Sequence, residues 1–167
     1  PHHTIGRRQR QMCIRDSTDP LVKNGDSHRI TTWQEALATT ANKLAGIDGS
    51  EIAVIASARM TNEELLMVNR LVEHLDAGHM DTVPRDGESD DYLISADHNP
   101  NTNGVKLVLG LDNPGSQLEA IKKGINEGRI KALLCLQENL VEDGGFDAET
   151  LGKLDFFLTS YPLANPT

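Results

Sequence analysis

The sequence predicts an α/β fold, a Rossmann-like three-layer αβα domain with a mainly parallel sheet that is incomplete at the C-terminus. Residues 52–56 form a continuous apolar run without polar alternation, which is typical of a strand covered by helices on both faces. Residues 61–75 follow with apolar side chains at three- and four-residue spacing, which indicates an amphipathic helix. Similar alternation in residues 116–160 predicts right-handed crossovers and a parallel sheet.

The helix after the first predicted strand has a defined start. Thr61 and Glu64 have the spacing of a capping box, in which a hydroxyl and a carboxylate satisfy backbone N–H groups at a helix N-terminus. In open α/β folds, ligands bind beyond the carboxyl ends of the strands. Residues 57–63 are therefore the first place to expect a site.

The segment before this strand is predicted to hold a hairpin and a helix. Residues 21–30 are polar, with Asn-Gly-Asp at 24–26 as a turn signal, and predict a short edge strand or hairpin. Thr32 and Glu35 have the spacing of a second capping box, and the helix that they begin should end near residues 45–46. Trp33, at the start of this helix, is predicted to be a core anchor or a staple at the helix start rather than a stacking platform for a ligand.

The middle of the chain is predicted to be short of regular structure. Residues 80–83 are a candidate second strand, and residues 84–91 form an acidic loop that we expect to be a solvated surface segment. Residues 92–96 are expected to pack against the domain. The Asn-rich residues 97–104 form either a tight structural loop or the lip of a ligand site.

A hard cation is the other possible role for the acidic loop. Its carboxylates lack the spacing and the terminal bidentate Glu of an EF-hand, so no metal site is predicted. The residues concerned are Asp81, Asp86, Glu88, Asp90 and Asp91.

The C-terminal half predicts two further β-strands. Residues 116–127 have a helical apolar face and are followed by Gly128 as a C-cap, and residues 130–136 form an apolar strand. Residues 137–140 then hold the same position after their strand as residues 57–60 do after theirs. A short helix near residues 148–153 and a strand at 156–160 complete this half.

Charge and composition divide the chain in two. Four arginines against one aspartate give residues 1–17 a net charge of +3, whereas the whole chain carries −9. Residues 9–17 also resemble translated sequencing-adapter sequence, so residues 1–17 are interpreted as a non-native or disordered head and residues 18–167 as a partial domain. The acidic body argues against nucleic-acid binding, and no apolar run approaches the ~20 residues of a membrane span. A cytoplasmic protein without direct membrane insertion is expected.

No catalytic or metal-binding constellation is predicted. Cys13 and Cys135 are too few for a disulfide framework, a zinc site or an iron-sulfur site, and Cys135 lies in an apolar run typical of a core strand. The dinucleotide-binding Gly-x-Gly-x-x-Gly pattern and the P-loop are absent. No Ser or Cys nucleophile stands beside a plausible base.

Several motifs resemble the molybdopterin oxidoreductase superfamily. The resemblance rests on residues 32–37 (Thr-Trp-Gln-Glu-Ala-Leu) followed by residues 52–57 and 61–65. Residues 95–104, 128–133 and 153–156 narrow it to the G-subunit family of bacterial NADH-quinone oxidoreductase, respiratory complex I. The resemblance covers about residues 20–167.

The resemblance implies a non-catalytic scaffold domain that supports electron transfer from NADH to quinone. Iron-sulfur clusters would lie in N-terminal domains outside this chain, and the partners would be those domains and other subunits of the peripheral arm. The protein would be cytoplasmic and peripheral to the cell inner membrane. Asn62 and Glu63 match positions near the cofactor cleft of relatives, so Ser57, Asn62 and Glu63 form a candidate vestigial cleft.

Two other interpretations remain open at this point. One is a fragment of a molybdopterin-dependent enzyme such as formate dehydrogenase, although the segment after the second helix, residues 79–86, lacks the Cys, selenocysteine or Ser that ligates molybdenum in such enzymes. Molybdopterin is expected only under this interpretation. The other is a stand-alone, non-enzymatic α/β interaction module.

Overall fold

The computed structural model of the protein describes residues 19–25, 27–90 and 92–161. The predicted head, residues 1–17, lies outside the described residues, as does Asp91 of the acidic loop. The strands are β1 Leu21–Asn24, β2 Ser27–Ile30, β3 Ile52–Ala56, β4 His79–Thr82, β5 Ala132–Leu136 and β6 Phe156–Ser160. The α-helices are α1 Trp33–Leu44, α2 Asn62–Leu75, α3 Thr102–Leu109, α4 Leu118–Asn126 and α5 Ala148–Leu151, and Gly49–Glu51 is a 3-10 helix.

A parallel sheet with the strand order β4-β3-β5-β6 is the centre of the fold. In β3, Val54 lies opposite Met80 of β4 on one side and opposite Leu134 of β5 on the other. β6 continues the sheet by pairing in parallel with β5. All five residues of β3 are buried, which confirms the prediction of a central strand.

Alternate side chains of β3 enter two separate hydrophobic cores. Ile52, Val54 and Ala56 face the side covered by α1, α2 and α3, where the core includes Leu44, Leu65, Val68 and Val105. Ala53 and Ile55 face the side covered by α4 and α5, where the core includes Leu118, Ile121, Ile125 and Leu151. Helices on both faces of a parallel sheet confirm the predicted Rossmann-like αβα class.

The N-terminus of α2 has the predicted capping box. The Thr61 hydroxyl accepts the backbone N–H of Glu64 at 3.3 Å, and the Glu64 carboxylate accepts the backbone N–H of Thr61 at 2.8 Å. Both bonds satisfy N–H groups that have no partner within the helix. The helix therefore begins at a fixed point just beyond the end of β3.

Removing this cap is expected to weaken the domain measurably. Thr61→Ala deletes the hydroxyl that accepts the Glu64 N–H, and we expect a loss of about 1 kcal/mol in the free energy of unfolding. Thr61→Ser, which keeps the hydroxyl, is the matched control and should lie close to the unchanged protein. Urea unfolding of both variants measures the difference, and equal stabilities would contradict a role for the cap.

In the N-terminal segment, the hairpin and the helix agree with the predictions, but one predicted side-chain contact does not. β1 and β2 form the expected antiparallel hairpin, and α1 ends at the C-cap Ala45. The Thr32 hydroxyl caps the helix by accepting the N–H of Glu35. The second half of the predicted capping box is wrong, because the Glu35 carboxylate pairs with Arg29 and Thr31 instead. These two partners lower the pKa of Glu35 to about 2.

The predicted role of Trp33 as a core anchor is also wrong. Its side chain is 66% exposed, and Leu37, one turn later, is 62% exposed. The apolar spacing on α1 is real, but only Leu44 of this helix is buried. The reason is that α1 contacts the core through its C-terminal end. The apolar side chains of its first turns therefore remain exposed.

Two features between β4 and α4 differ from the predictions. Residues 92–96 do not pack against the domain, because all five are exposed. The helix α3 was not predicted, although Val105 and Leu109 are buried against α2 and β3. Its eight residues contain Gly104 and follow the Asn-rich turn formers, so the periodic signal is short and the turn signal dominates.

Candidate functional site at the carboxyl edge of the sheet

The strand order creates a topological switch point beside β3. The chain leaves β3 for β4 on one side, and then returns to form β5 on the other side. The loops after β3 and β5 therefore diverge at the carboxyl edge of the sheet, which is where open α/β folds bind ligands. These loops are residues 57–61 and 137–140.

The loop after β3 is tightly bonded to itself. Ser57 is fully buried, and its hydroxyl oxygen accepts the backbone N–H of Arg59 at 3.1 Å. The Ser57 carbonyl accepts the N–H of Met60 at 3.1 Å. The buried hydroxyl thus shapes the turn between β3 and α2.

Asn101 fastens the Asn-rich loop to this turn. Its Nδ2 donates to the carbonyl of Met60 at 2.8 Å and to Asn62 Oδ1 at 3.0 Å, and its backbone N–H donates to the carbonyl of Ala58 at 3.0 Å. Its Oδ1 also accepts the N–H of Gly104 and so caps α3. Residues 97–104 were considered either a tight structural loop or the lip of a ligand site. The bonds of Asn101 are those of a structural loop.

Gln137 connects the loop after β5 to the first turn of α2 and to the end of β6. It has a positive φ of 59°, which is uncommon for a residue other than glycine and needs support from its surroundings. Its backbone N–H donates to the carbonyl of Ser160 at 2.6 Å, and its Nε2 donates to Glu64 Oε1 at 3.3 Å. The capping residue of α2 is thereby connected to the end of β5.

A buried ion pair lies at the same edge. Arg85 Nη1 and Nη2 donate to the two carboxylate oxygens of Glu138 at 3.0 and 2.6 Å, and Nη2 also donates to Asp143 at 2.7 Å. The side chain of Glu138 is fully buried and that of Arg85 is 17% exposed. Donation of hydrogen bonds to the Glu138 carboxylate is the main reason that the pKa of Arg85 is raised. The sequence predicted that residues 84–91 form a solvated surface segment. That prediction is wrong for Arg85, which is largely buried.

The position of this pair follows from the sheet topology. Arg85 comes three residues after β4, and Glu138 comes two residues after β5. Because β4 and β5 are the two neighbours of β3, a direct bond between these side chains spans the carboxyl end of β3. The place where a ligand would lie in a related fold is thus crossed by two side chains of the chain itself.

Asp81 has a structural role rather than the cation-binding role considered from sequence. It is fully buried in β4, and its carboxylate accepts the backbone N–H groups of Gly115 at 2.7 Å and Gln117 at 2.6 Å. These donors immediately precede α4, whose N-cap residue makes no side-chain cap of its own. The carboxylate therefore fixes the start of α4 against the sheet.

Cys135 is a core residue, as predicted. It is buried in β5, and its thiol donates to the carbonyl of Glu138 at 3.3 Å. Burial raises the pKa of Cys135 to about 12, so the nucleophilic thiolate is not formed near neutral pH.

An apolar groove lies at the opposite edge of the sheet. It has a volume of about 580 Å³ and lies between the C-terminal parts of α1 and α2, next to Ile52 at the start of β3. Its wall is mainly aliphatic, with Thr40 and His74 as the polar side chains. It lies away from the switch point and contains none of the predicted site residues.

The three side chains of the predicted vestigial cleft are in different surroundings. Ser57 is buried and bonded within its own turn, Asn62 accepts from Asn101, and Glu63 is exposed on the first turn of α2. Sequence reasoning missed Arg85, Gln137 and Glu138 as parts of this edge. The only signal in the sequence was that residues 57–60 and 137–140 hold matching positions after their strands. This signal predicts that both segments lie at the carboxyl edge of the sheet, but it does not identify which side chains bond to each other.

Within residues 19–25, 27–90 and 92–161, no group of three or more His, Cys, Asp or Glu side chains is arranged to hold a metal ion. No helix in that part of the chain is both long enough and apolar enough to cross a membrane.

Comparison with known proteins gives one partial relationship. No family model matches the chain. Part of it is similar to the NADH-ubiquinone oxidoreductase 78 kDa subunit, mitochondrial, of Candida albicans, with 36% identity over 67 residues. The match covers 39% of this chain but 9% of that protein. It relates the chain loosely to an oxidoreductase subunit.

Proposed function

We propose that the chain is part of the G subunit of an NADH-quinone oxidoreductase, the large iron-sulfur subunit, in which it forms a scaffold domain. The observation that carries this proposal is the partial similarity to the 78 kDa subunit of NADH-ubiquinone oxidoreductase. The αβα fold is compatible with it, since the resemblance seen in the sequence implies a Rossmann-like domain. In this proposal, residues 18–167 are a partial molybdopterin oxidoreductase-like domain.

The carboxyl edge supports a scaffold role over a cofactor site. The end of β3 is crossed by the pair of Arg85 and Glu138, and Gln137 bonds to Glu64 across the switch point. The side chains of Ser57 and Asn62 are bonded within the chain. These residues do not fit a pterin site, because a pterin nucleotide would have to displace these bonds to reach the end of β3.

The proposal assigns the electron-transfer chemistry to parts of the protein outside this chain. The iron-sulfur clusters would be bound by other domains, and this domain would hold those domains and neighbouring subunits of the peripheral arm in position. The assembly would be cytoplasmic and peripheral to the inner membrane. The acidic surface, net −9 for the chain, is suited to contacts with proteins rather than with nucleic acid.

Metal analysis of the full-length protein tests the proposal. We expect stoichiometric iron and no molybdenum or tungsten, and we expect the 167-residue chain alone to bind neither an iron-sulfur cluster nor NADH. Elemental analysis and the visible absorbance of clusters provide the measurements. Stoichiometric molybdenum or tungsten retained by this domain would contradict the scaffold role and favour a molybdopterin-dependent enzyme.

A further inference from the structure

The chain contains two asparagines that are followed directly by glycine, Asn24 before Gly25 and Asn103 before Gly104. Such an asparagine is prone to lose its side-chain amide, because glycine has no Cβ to hinder the approach of its backbone nitrogen to the asparagine side chain. Both pairs consist of the same two residues, so the dipeptides alone do not distinguish them. The fold places them in contrasting surroundings.

The first pair lies in the exposed hairpin. Asn24 is the last residue of β1, and both Asn24 and Gly25 are exposed. A Cβ built at Gly25 would meet no atom of the described residues within 4 Å. The hairpin is a two-stranded sheet separate from the four-stranded sheet, and seven of its eight strand residues are exposed. Since an isolated two-stranded hairpin is marginally stable in water, its backbone opens at a low cost in free energy.

The second pair lies in the first turn of α3. Gly104 is buried, and its backbone N–H donates to Asn101 Oδ1 at 3.1 Å. A Cβ built at Gly104 would lie 2.2 Å from Asn62 Oδ1, so the backbone here is closely packed. Val105, the next residue, is fully buried in the core that α3 shares with α2 and β3. The helix therefore has to unwind before the nitrogen of Gly104 can reach the side chain of Asn103.

We propose that Asn24 is a site of spontaneous deamidation in the folded protein and that α3 protects Asn103 from the same reaction. The backbone nitrogen of Gly25 gives up its proton to solvent and forms a bond to Asn24 Cγ, while the Cγ–Nδ2 bond breaks and ammonia leaves. Water then hydrolyses the five-membered cyclic imide at either carbonyl, which gives aspartate or isoaspartate. The reaction needs no oxidant and no cofactor, and it makes the chain more negative by one charge.

Isoaspartate would alter the hairpin more than aspartate would. It carries the main chain through the former side chain, which adds one CH₂ group to the backbone between residues 24 and 25. Asn24 lies opposite Ser27 of β2, and Ser27 Oγ donates to the carbonyl of Asn24 at 3.1 Å, so the added group shifts the pairing at this end of the hairpin. The strands of the main sheet are not involved. This inference goes beyond the proposed function and holds whichever larger protein contains the chain.

Mass spectrometry of peptides from aged protein tests the inference. The folded full-length protein is incubated at neutral pH and digested at acidic pH, which limits deamidation during handling, and the loss of amide at each asparagine is followed with time. We expect Asn24 to react at least about tenfold faster than Asn103, because opening an exposed hairpin costs less free energy than unwinding a packed helix. We also expect the product at residue 24 to accept a methyl group from S-adenosylmethionine in the presence of an isoaspartyl methyltransferase, which identifies isoaspartate.

The same protein incubated in urea is the matched control, because unfolding removes the protection that α3 provides. The two asparagines should then react at similar rates. Equal rates in the folded protein, or a faster reaction at Asn103, would overturn the inference. A difference that persisted unchanged in urea would also overturn it, since the flanking residues rather than the fold would then set the rates.

A variant in α3 provides an independent check on the protection of Asn103. Val105→Ala removes part of a buried side chain that holds the helix on the core, and it should raise the rate at Asn103 while leaving the rate at Asn24 unchanged. An unchanged rate at Asn103 would contradict the role given to α3.

Discussion

Val54→Asp is expected to prevent the domain from folding. Val54 is fully buried at the middle of β3, between Met80 of β4 and Leu134 of β5. Its side chain faces the core that includes Leu65, Val68 and Val105, where a carboxylate would find no charged partner. An uncompensated buried charge costs several kcal/mol, which is comparable to the roughly 5–15 kcal/mol that stabilises a typical domain.

Circular dichroism and urea unfolding measure this effect. Leu107→Asp is the matched control, because it introduces the same charge at a position that is 83% exposed, and it should remain folded. Val54→Thr replaces a methyl group with a hydroxyl group of similar size and adds no charge, so its free energy of unfolding should be intermediate. A folded Val54→Asp protein with the stability of the control would show that β3 is not the central strand.

The two central strands that the sequence predicted, β3 and β5, share one property, which is burial on both faces of the sheet. Residues in β3 and β5 form uninterrupted apolar runs because helices cover both faces of the sheet, and few other arrangements produce this pattern in so short a segment. The helix α2 was equally clear, since its capping box and its apolar stripe agree. Local and tertiary signals point the same way in these elements, so they could be identified without a structure.

The predictions failed where an apolar side chain is not buried. Trp33 was expected to anchor the core and Tyr92 to pack against the domain, and both are exposed. An apolar side chain indicates that a residue favours burial. The sequence does not indicate whether a helix or strand lies close enough to cover that side chain. Asp90 Oδ1 accepts the backbone N–H groups of residues 92, 93 and 94, a geometry that a single Asp in an acidic loop does not predict.

The candidate site was predicted in location but not in composition. The rule that places ligands at the carboxyl ends of strands pointed to residues 57–63, whereas residues 137–140 were noted only as holding the equivalent position after their strand. The pairing of Arg85 with Glu138 joins residues 53 positions apart in sequence. Such a pair depends on β4 and β5 flanking β3, and strand order is not encoded in any local pattern of residues.

The ion pair of Arg85 and Glu138 is expected to contribute strongly when only one partner is removed. Arg85→Met leaves the fully buried carboxylate of Glu138 without its two hydrogen bonds, and we expect a loss of about 3–5 kcal/mol in the free energy of unfolding. Arg85→Met combined with Glu138→Leu removes the charge as well and should recover much of this loss.

The pair of Arg29 and Glu35 is the matched control for this prediction. It is also a two-pronged arginine-glutamate contact, but both side chains are about half exposed. Arg29→Met should therefore change stability little, because water solvates the remaining carboxylate. Urea unfolding of these three variants separates the effect of burial from the effect of losing an ion pair. If Arg85→Met were as mild as Arg29→Met, Glu138 would have to reach water or another donor, and the end of β3 would be open rather than spanned by the chain's own side chains.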